Sequence, residues 1–231
     1  MPEWLITAFL YIGICLAAYL ICALNPAVIM ARLIYHEDIR TKGSGNPGFT
    51  NFKRVYGNKV AWFVFGLDIG KTILVMVFGI MALKTANPDH QSCAAIIGFC
   101  ALMGHVFPCW YKFRGGKGFL VWATAIFFCD WKAGLVALAV MAAFLFTKWY
   151  MSLATMCFCA SGTIAIIAFD FIFGQDPSLI PLIAFIMLAG TAVVILRHKE
   201  NIIKLRNGTE SKFSFRGSKK TEEQVPSAEN S

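Results

Sequence analysis

Seven stretches of this chain are so apolar and so long that they leave its backbone few choices. They cover residues 4–30, 60–83, 92–108, 118–129, 133–147, 150–173 and 179–196. Runs of about 17–25 apolar residues cross the hydrocarbon core of a bilayer as helices, because each backbone N–H and C=O must find its partner within the segment. The runs are continuous rather than alternating, which argues against a β-barrel. With 58% hydrophobic and only 15% charged residues, a soluble domain is excluded too. The expected fold is all-α, a polytopic membrane helix bundle with about seven transmembrane or near-spanning helices. The first run resembles a leader in length, but Glu3 removes the positive n-region and no small-residue cleavage pattern follows. It reads as a retained span.

Charge orients the bundle. Residues 32–59 carry Arg32, Arg40, Lys42, Lys53, Arg54 and Lys59, and residues 109–117 carry Lys112, Arg114 and Lys117. The C-terminal stretch adds eight more basic residues between Arg197 and Lys220. The alternate loops hold mainly Asp89, Asp130, Lys132, Asp170 and Asp176, with Lys84. The positive-inside rule puts all three basic regions in the cytoplasm. The fourth and fifth runs are separated only by Asp130-Trp131-Lys132 and read either as one long helix or as a hairpin. Parity selects the hairpin, with the N-terminus outside and the C-terminus inside. Residues 1–210 form one membrane domain. Residues 211–231 are polar and read as a disordered cytoplasmic tail.

The net charge of +8 points to anionic partners, for which lipid headgroups and the topology bias are sufficient. Basic residues scattered over interhelical loops do not suit nucleic acid. The eight cysteines lie almost entirely in apolar runs without a C-x-x-C pair, so neither a disulfide framework nor a metal site is expected.

Three short stretches hold most of the unusual polar and glycine chemistry. In the first, Ser44-Gly45-Asn46-Pro47-Gly48-Phe49-Thr50-Asn51, small residues expose consecutive N–H groups beside four polar side chains, with Arg54 in reach if a helix starts there. A plain interhelical turn is the competing reading. The second is Gly104-His105 followed by Arg114-Gly115-Gly116-Lys117-Gly118. Glycines opening a helix let the backbone approach a phosphate, and Lys117 adds charge. No Ser or Thr follows that lysine, so it is not a Walker A loop. Gly66 to Thr72 ends in Gly-Lys-Thr but is one residue short for that motif. The third runs from Arg197-His198 through Asn201 to Gly208-Thr209-Glu210. His198 and Asn201 share a face if this is a helix, and together suit a hydroxyl; an interfacial basic cluster is the alternative. Asp68 and Lys71, at i and i+3 in a span, read as a supporting ion pair. His105 suits a packed or a catalytic role, and Glu210 a salt-bridge partner.

Together these stretches resemble the bacterial membrane family of acyl-phosphate-dependent glycerol-3-phosphate acyltransferases. Asp38-Ile39-Arg40, Gly43 to Asn46, Thr50-Asn51 and Arg54 are similar to that family's first motif. Gly104-His105, Pro108 and Phe113 to Gly118 are similar to the second. Arg197-His198, Asn201-Ile202 and Gly208 to Glu210 are similar to the third, and Asp68 and Lys71 also match. Phe49 stands where the family usually has alanine, which bears on the acyl pocket. The resemblance implies transfer of a fatty acyl group from acyl phosphate to sn-glycerol 3-phosphate, giving lysophosphatidate and phosphate, in the bacterial cytoplasmic (inner) membrane with the site at the cytoplasmic face. It implies no cofactor, no metal and no obligate protein partner. Ser44, Lys117, His198 and Asn201 are then the catalytic candidates. Gly45, Asn46, Gly48, Thr50, Asn51, Arg54, Gly115, Gly116 and Gly118 would hold phosphates, and Arg40, Asp68, Lys71, His105 and Glu210 would support them. A transporter of an anion or phosphate ester is the alternative. It would place its site near the midplane and show repeat symmetry, and no repeat is visible.

Overall fold

The structure, a computed structural model, describes residues 2–84, 86–87, 89–173 and 176–213. Most of the expected disordered tail, residues 214–231, lies outside the described residues. Within them the chain forms ten α-helices and two 3₁₀ turns and no strand. Six stretches are long and apolar enough to cross a membrane, and Phe119–Cys129 is apolar but shorter.

The first apolar run is two helices rather than one. α1 (Glu3–Ala23) ends before Leu24, and α2 (Pro26–Tyr35) begins after Asn25. The Asn25 side chain accepts the Val28 N–H at 3.0 Å, and Pro26 occupies the first helical position, where its missing N–H costs nothing. This cap chemistry overrides the continuous hydrophobicity. The break frees the carbonyls of Cys22 and Leu24. Lys71 Nζ, on α4 (Asn58–Leu83), donates to both at 3.1 and 2.7 Å. Such internal satisfaction is what a non-helical backbone within a bilayer requires.

α3 (Phe49–Tyr56) is a short amphipathic helix whose Phe52 is fully buried beside Tyr35 and Tyr56. α5 (His90–Val106) is the hub: 67% of its spanning window is buried, against 11% for the first span, and it packs on α1, α4, α6 and α9. α6 (Phe119–Cys129) has 11 residues, so it covers about 16 Å, roughly half of the hydrocarbon core. The N–H groups of Gly115 and Gly116 donate to the Val106 and His105 carbonyls at 3.2 Å each, using acceptors that the end of α5 leaves open.

α6 and α7 (Trp131–Lys148) form the hairpin that parity required. Asp130 stops α6 and caps α7 by accepting the Lys132 and Ala133 N–H groups at 2.7 and 3.3 Å. In one continuous helix Ile126 and Ala137 would stand about 16 Å apart. Both instead come within 3.2 Å of where a Cβ on Gly162 would lie. α8 (Met151–Phe173) packs along α7, and α9 (Ile180–Arg197) along α8, before the short α10 (Lys199–Arg206). A buried polar chain ties the last helices together: Trp122 Nε1 donates to Thr191 Oγ1 at 3.0 Å, and Thr191 meets Thr163 at 2.7 Å. At one end of the bundle His90 Nε2–H donates to the Phe128 carbonyl at 2.8 Å, and Gln91 to Asp170 at 2.9 Å. All eight cysteines are free thiols.

Candidate active site

The three polar stretches meet at the other end of the bundle, around a cavity of about 750 Å³. Its polar lining includes Ser44, Asn46, Thr50, Arg54, Lys117, His198, Asn201 and Lys204; its apolar lining includes Trp62, Phe65, Phe119, Leu120, Met141 and Leu145. One cavity therefore combines cations, amides, hydroxyls and the carboxylates of Asp68, Glu200 and Glu210 with apolar side chains.

The first stretch is shaped from within. Asn51, almost fully buried, accepts the Ser44 N–H at 2.8 Å and donates to the Lys42 carbonyl at 3.0 Å. Gly43 sits at φ +57°, and a Cβ there would lie 2.3 Å from Asn51 Oδ1. The loop therefore folds tightly over the Asn51 amide, which is a scaffold as much as a cavity wall. Asn25 pins the far side by donating to the Pro47 carbonyl at 3.1 Å. Gly48 precedes α3 without a side-chain cap, and Gly48, Phe49 and Thr50 at the start of that helix line the cavity. Arg54, on α3, reaches Ser211 Oγ at 3.3 Å. Arg40 does not line the cavity. It forms a bidentate pair with Asp38, its shortest contact 2.6 Å, and donates to the Tyr111 carbonyl at 3.2 Å, tying the first stretch to the second. That guanidinium holds the Asp38 carboxyl well below the usual carboxylate range.

The second stretch divides. Lys117 faces the cavity, and burial lowers its pKa below the ordinary lysine range against the opposing pull of Glu210. The Gly115 and Gly116 N–H groups, expected as part of a phosphate cradle, are already engaged by α5. A Cβ on Gly115 would lie 2.1 Å from the His105 carbonyl oxygen, and one on Gly116 2.3 Å from His105 Nε2. These glycines are what allow the segment to lie flat on the end of α5. Gly118 lines the cavity at φ +82°, packed on Leu102.

Beneath the cavity lies a buried charged group. Lys71 Nζ is 2.9 Å from Asp68 Oδ1, an ion pair without hydrogen-bond alignment, and 3.3 Å from His105 Nδ1. His105 is 3.5 Å from Asp68. Asp68 and His105 reach the cavity wall, whereas Lys71 is turned to the carbonyls at the α1–α2 break.

The third stretch supplies further lining. His198 is 4% exposed, and its Nδ1 lies 2.8 Å from the Val194 carbonyl. A carbonyl only accepts, so Nδ1 carries the proton and Nε2 presents a lone pair. Thr155 Oγ1 stands 3.5 Å from Nε2, but its own proton goes to the Ser152 carbonyl at 3.0 Å. Nε2 is therefore an acceptor without a committed donor. Burial pushes the His198 pKa down to about 4, which keeps the ring neutral. Lys117 Nζ donates to Asn201 Oδ1, and Asn201 Nδ2 donates to Glu210 Oε1 at 2.7 Å. Ser152 Oγ donates to the same Glu210 oxygen at 2.7 Å. Arg197 Nη2 holds the Gly115 carbonyl at 3.0 Å, joining the second and third stretches.

Ser152 and Thr155 have no counterpart in the sequence reading. They sit in the apolar run of α8, where a hydroxyl at helical spacing carries no distinctive signal. Ser211 and Phe213, assigned to the tail, touch this site: Ser211 bonds Arg54, and the Phe213 N–H donates to the Trp149 carbonyl at 2.6 Å.

A family profile described as glycerol-3-phosphate acyltransferase matches residues 12–208 of the chain. A glycerol-3-phosphate acyltransferase of Syntrophotalea carbinolica is 38% identical over 204 residues, covering 86% of this chain and 95% of the relative. The fold is similar to crystal structures of PlsY (YgiH), an integral membrane glycerol 3-phosphate acyltransferase. Its glycerol 3-phosphate form superposes with a TM-score of 0.73 at 28% identity, covering 88% of this chain and 96% of that one. Its lysophosphatidic acid form gives 0.70 at 27% identity, covering 88% and 95%.

Proposed function

The chain belongs to the glycerol-3-phosphate acyltransferase family, and on that premise we propose that it takes its acyl group from an acyl phosphate and passes it directly to sn-glycerol 3-phosphate. The observation that carries this reading is a single cavity lined both by cations, amides and hydroxyls and by apolar side chains. Both substrates carry a phosphate, and the donor also carries a fatty chain. The relatives in the solved structures hold glycerol 3-phosphate in one form and lysophosphatidic acid in the other, which supports acceptor and product.

In this reading Ser44, Asn46, Thr50, Arg54 and the N–H groups at the start of α3 hold one phosphate, and Lys117 neutralises the other. The Gly45, Gly48 and Gly118 positions keep the backbone close, and Gly115 and Gly116 set the height of Lys117. The apolar wall takes the chain. His198 Nε2, the uncommitted acceptor, orients the attacking hydroxyl with Asn201 beside it. The hydroxyl oxygen bonds to the acyl carbon, the carbon–oxygen bond to phosphate breaks, and the departing phosphate takes the hydroxyl proton. Acyl phosphate is already activated, so no covalent acyl-enzyme is needed. Asp68, Lys71 and His105 support the floor, and Arg40 and Glu210 support the walls. The basic end faces the cytoplasm of the bacterial inner membrane, with the N-terminus outside.

Purified protein given palmitoyl phosphate and sn-glycerol 3-phosphate is expected to release phosphate and form lysophosphatidate, with neither product when the acceptor is omitted. Palmitoyl-CoA in a parallel reaction is expected to give no lysophosphatidate. Turnover with the thioester and none with the phosphate would overturn the donor assignment.

A further inference from the structure

We propose that Ser152, on the first turn of α8, is a positioning residue for the acyl transfer: through Glu210, its hydroxyl fixes which end of the Asn201 amide faces Lys117. This rests on the reading of Lys117 and Asn201 as substrate-facing groups.

An amide side chain has a donor end and an acceptor end of nearly the same shape. Lys117 only donates, so it needs Asn201 Oδ1. That orientation holds if the Nδ2 end has an acceptor, and Glu210 Oε1 is that acceptor at 2.7 Å. Glu210 itself is poorly placed to stay still. It follows Gly208, at φ +68°, in a segment outside any helix. Its rigid attachment is Ser152, which is mostly buried on a spanning helix and donates to the same Oε1 at 2.7 Å. The order of dependence runs Ser152, Glu210, Asn201, Lys117, each link a donor meeting an acceptor that cannot donate. The same turn of α8 also meets His198 through Thr155 at 3.5 Å, so one helix end touches both halves of the third stretch. A charge-assisted bond of this kind is stronger than a neutral one, and its loss lets the carboxylate rotate.

The test uses the full chain, purified, with palmitoyl phosphate and sn-glycerol 3-phosphate. Ser152→Ala is expected to lower kcat about tenfold, as loss of one hydrogen bond to a charged group would, with the KM for glycerol 3-phosphate moving less than about threefold. Ser152→Cys keeps the shape but donates weakly, so it gives the same answer if the alanine variant fails to fold. Ser152→Thr keeps the hydroxyl and is expected to recover most of the activity. In a Glu210→Gln background, Ser152→Ala should cost less than about twofold more, because the two act as one unit. Cysteine and alanine variants within twofold of wild type, or losses that multiply with Glu210→Gln, would overturn the inference. Asn201→Ala and Lys117→Met separate the two levels. If both keep full activity, the reading beneath it fails as well. If both lose activity and the Ser152 variants do not, only the role of Ser152 is refuted.

Discussion

His198 is held neutral by its surroundings, and this makes its contribution pH-dependent in a definite direction. Its pKa falls from 6.5 to about 4, mainly through burial. Between those values the unfolded chain binds a proton that the folded chain refuses. The stability contributed by the neutral ring is complete above about pH 6.5 and shrinks as pH falls toward 4, by up to about 1.4 kcal/mol per unit. Thermal unfolding in detergent from pH 7 to pH 5 should show the wild type losing more stability than His198→Asn; equal losses would mean that the ring is not buried neutral. At this scale the sequence named residue types well and partners poorly. Asn51 and Arg40 were visible as polar groups in a polar stretch. That Asn51 turns inward to hold Ser44 and Lys42, and Arg40 to hold Asp38 and Tyr111, depends on contacts that spacing does not encode. Ser152 and Thr155 were invisible because a hydroxyl costs little in a helix and so leaves no mark on an apolar run.

At the scale of helices, glycines separate into two kinds that look alike in sequence. A Cβ on Gly104 would lie 2.1 Å from the Tyr19 backbone oxygen, where α5 crosses α1, and backbone cannot yield as a side-chain end can. Gly66, on α4, has nothing within 4 Å. Gly104→Ala should therefore destabilise by about 3 kcal/mol through forced separation of the two helices. Gly66→Ala should be neutral or stabilise by up to about 1 kcal/mol through helix propensity. Unfolding temperatures of the two variants check this, and equal effects would contradict the close crossing. The helix breaks themselves were partly legible. The break at Asp130 was legible through charge parity, although its cap was not. Asn25-Pro26 carries equally good cap chemistry but lies inside one unbroken hydrophobic stretch, and hydrophobicity alone reads through it.

The whole molecule gathers its three polar stretches at one end and Asp89, Asp130 and Asp170 at the other, a separation that charge counting along the sequence anticipated. Orientation in the membrane is tested by added cysteines at exposed sites. With Asp176→Cys a membrane-impermeant maleimide should label intact cells above the native background, and with Lys59→Cys it should do so only after permeabilisation. The reverse pattern would invert the topology. What composition could not give is that polar and apolar side chains from distant stretches line one cavity. For the proposed reaction this changes what concentration means. The acceptor is counted per litre, but a donor that reaches the apolar wall sideways is counted per lipid. Diluting the bilayer with inert lipid then slows the enzyme even though no molecule has left the tube, and the chain behaves as a catalyst in two dimensions for one substrate and in three for the other.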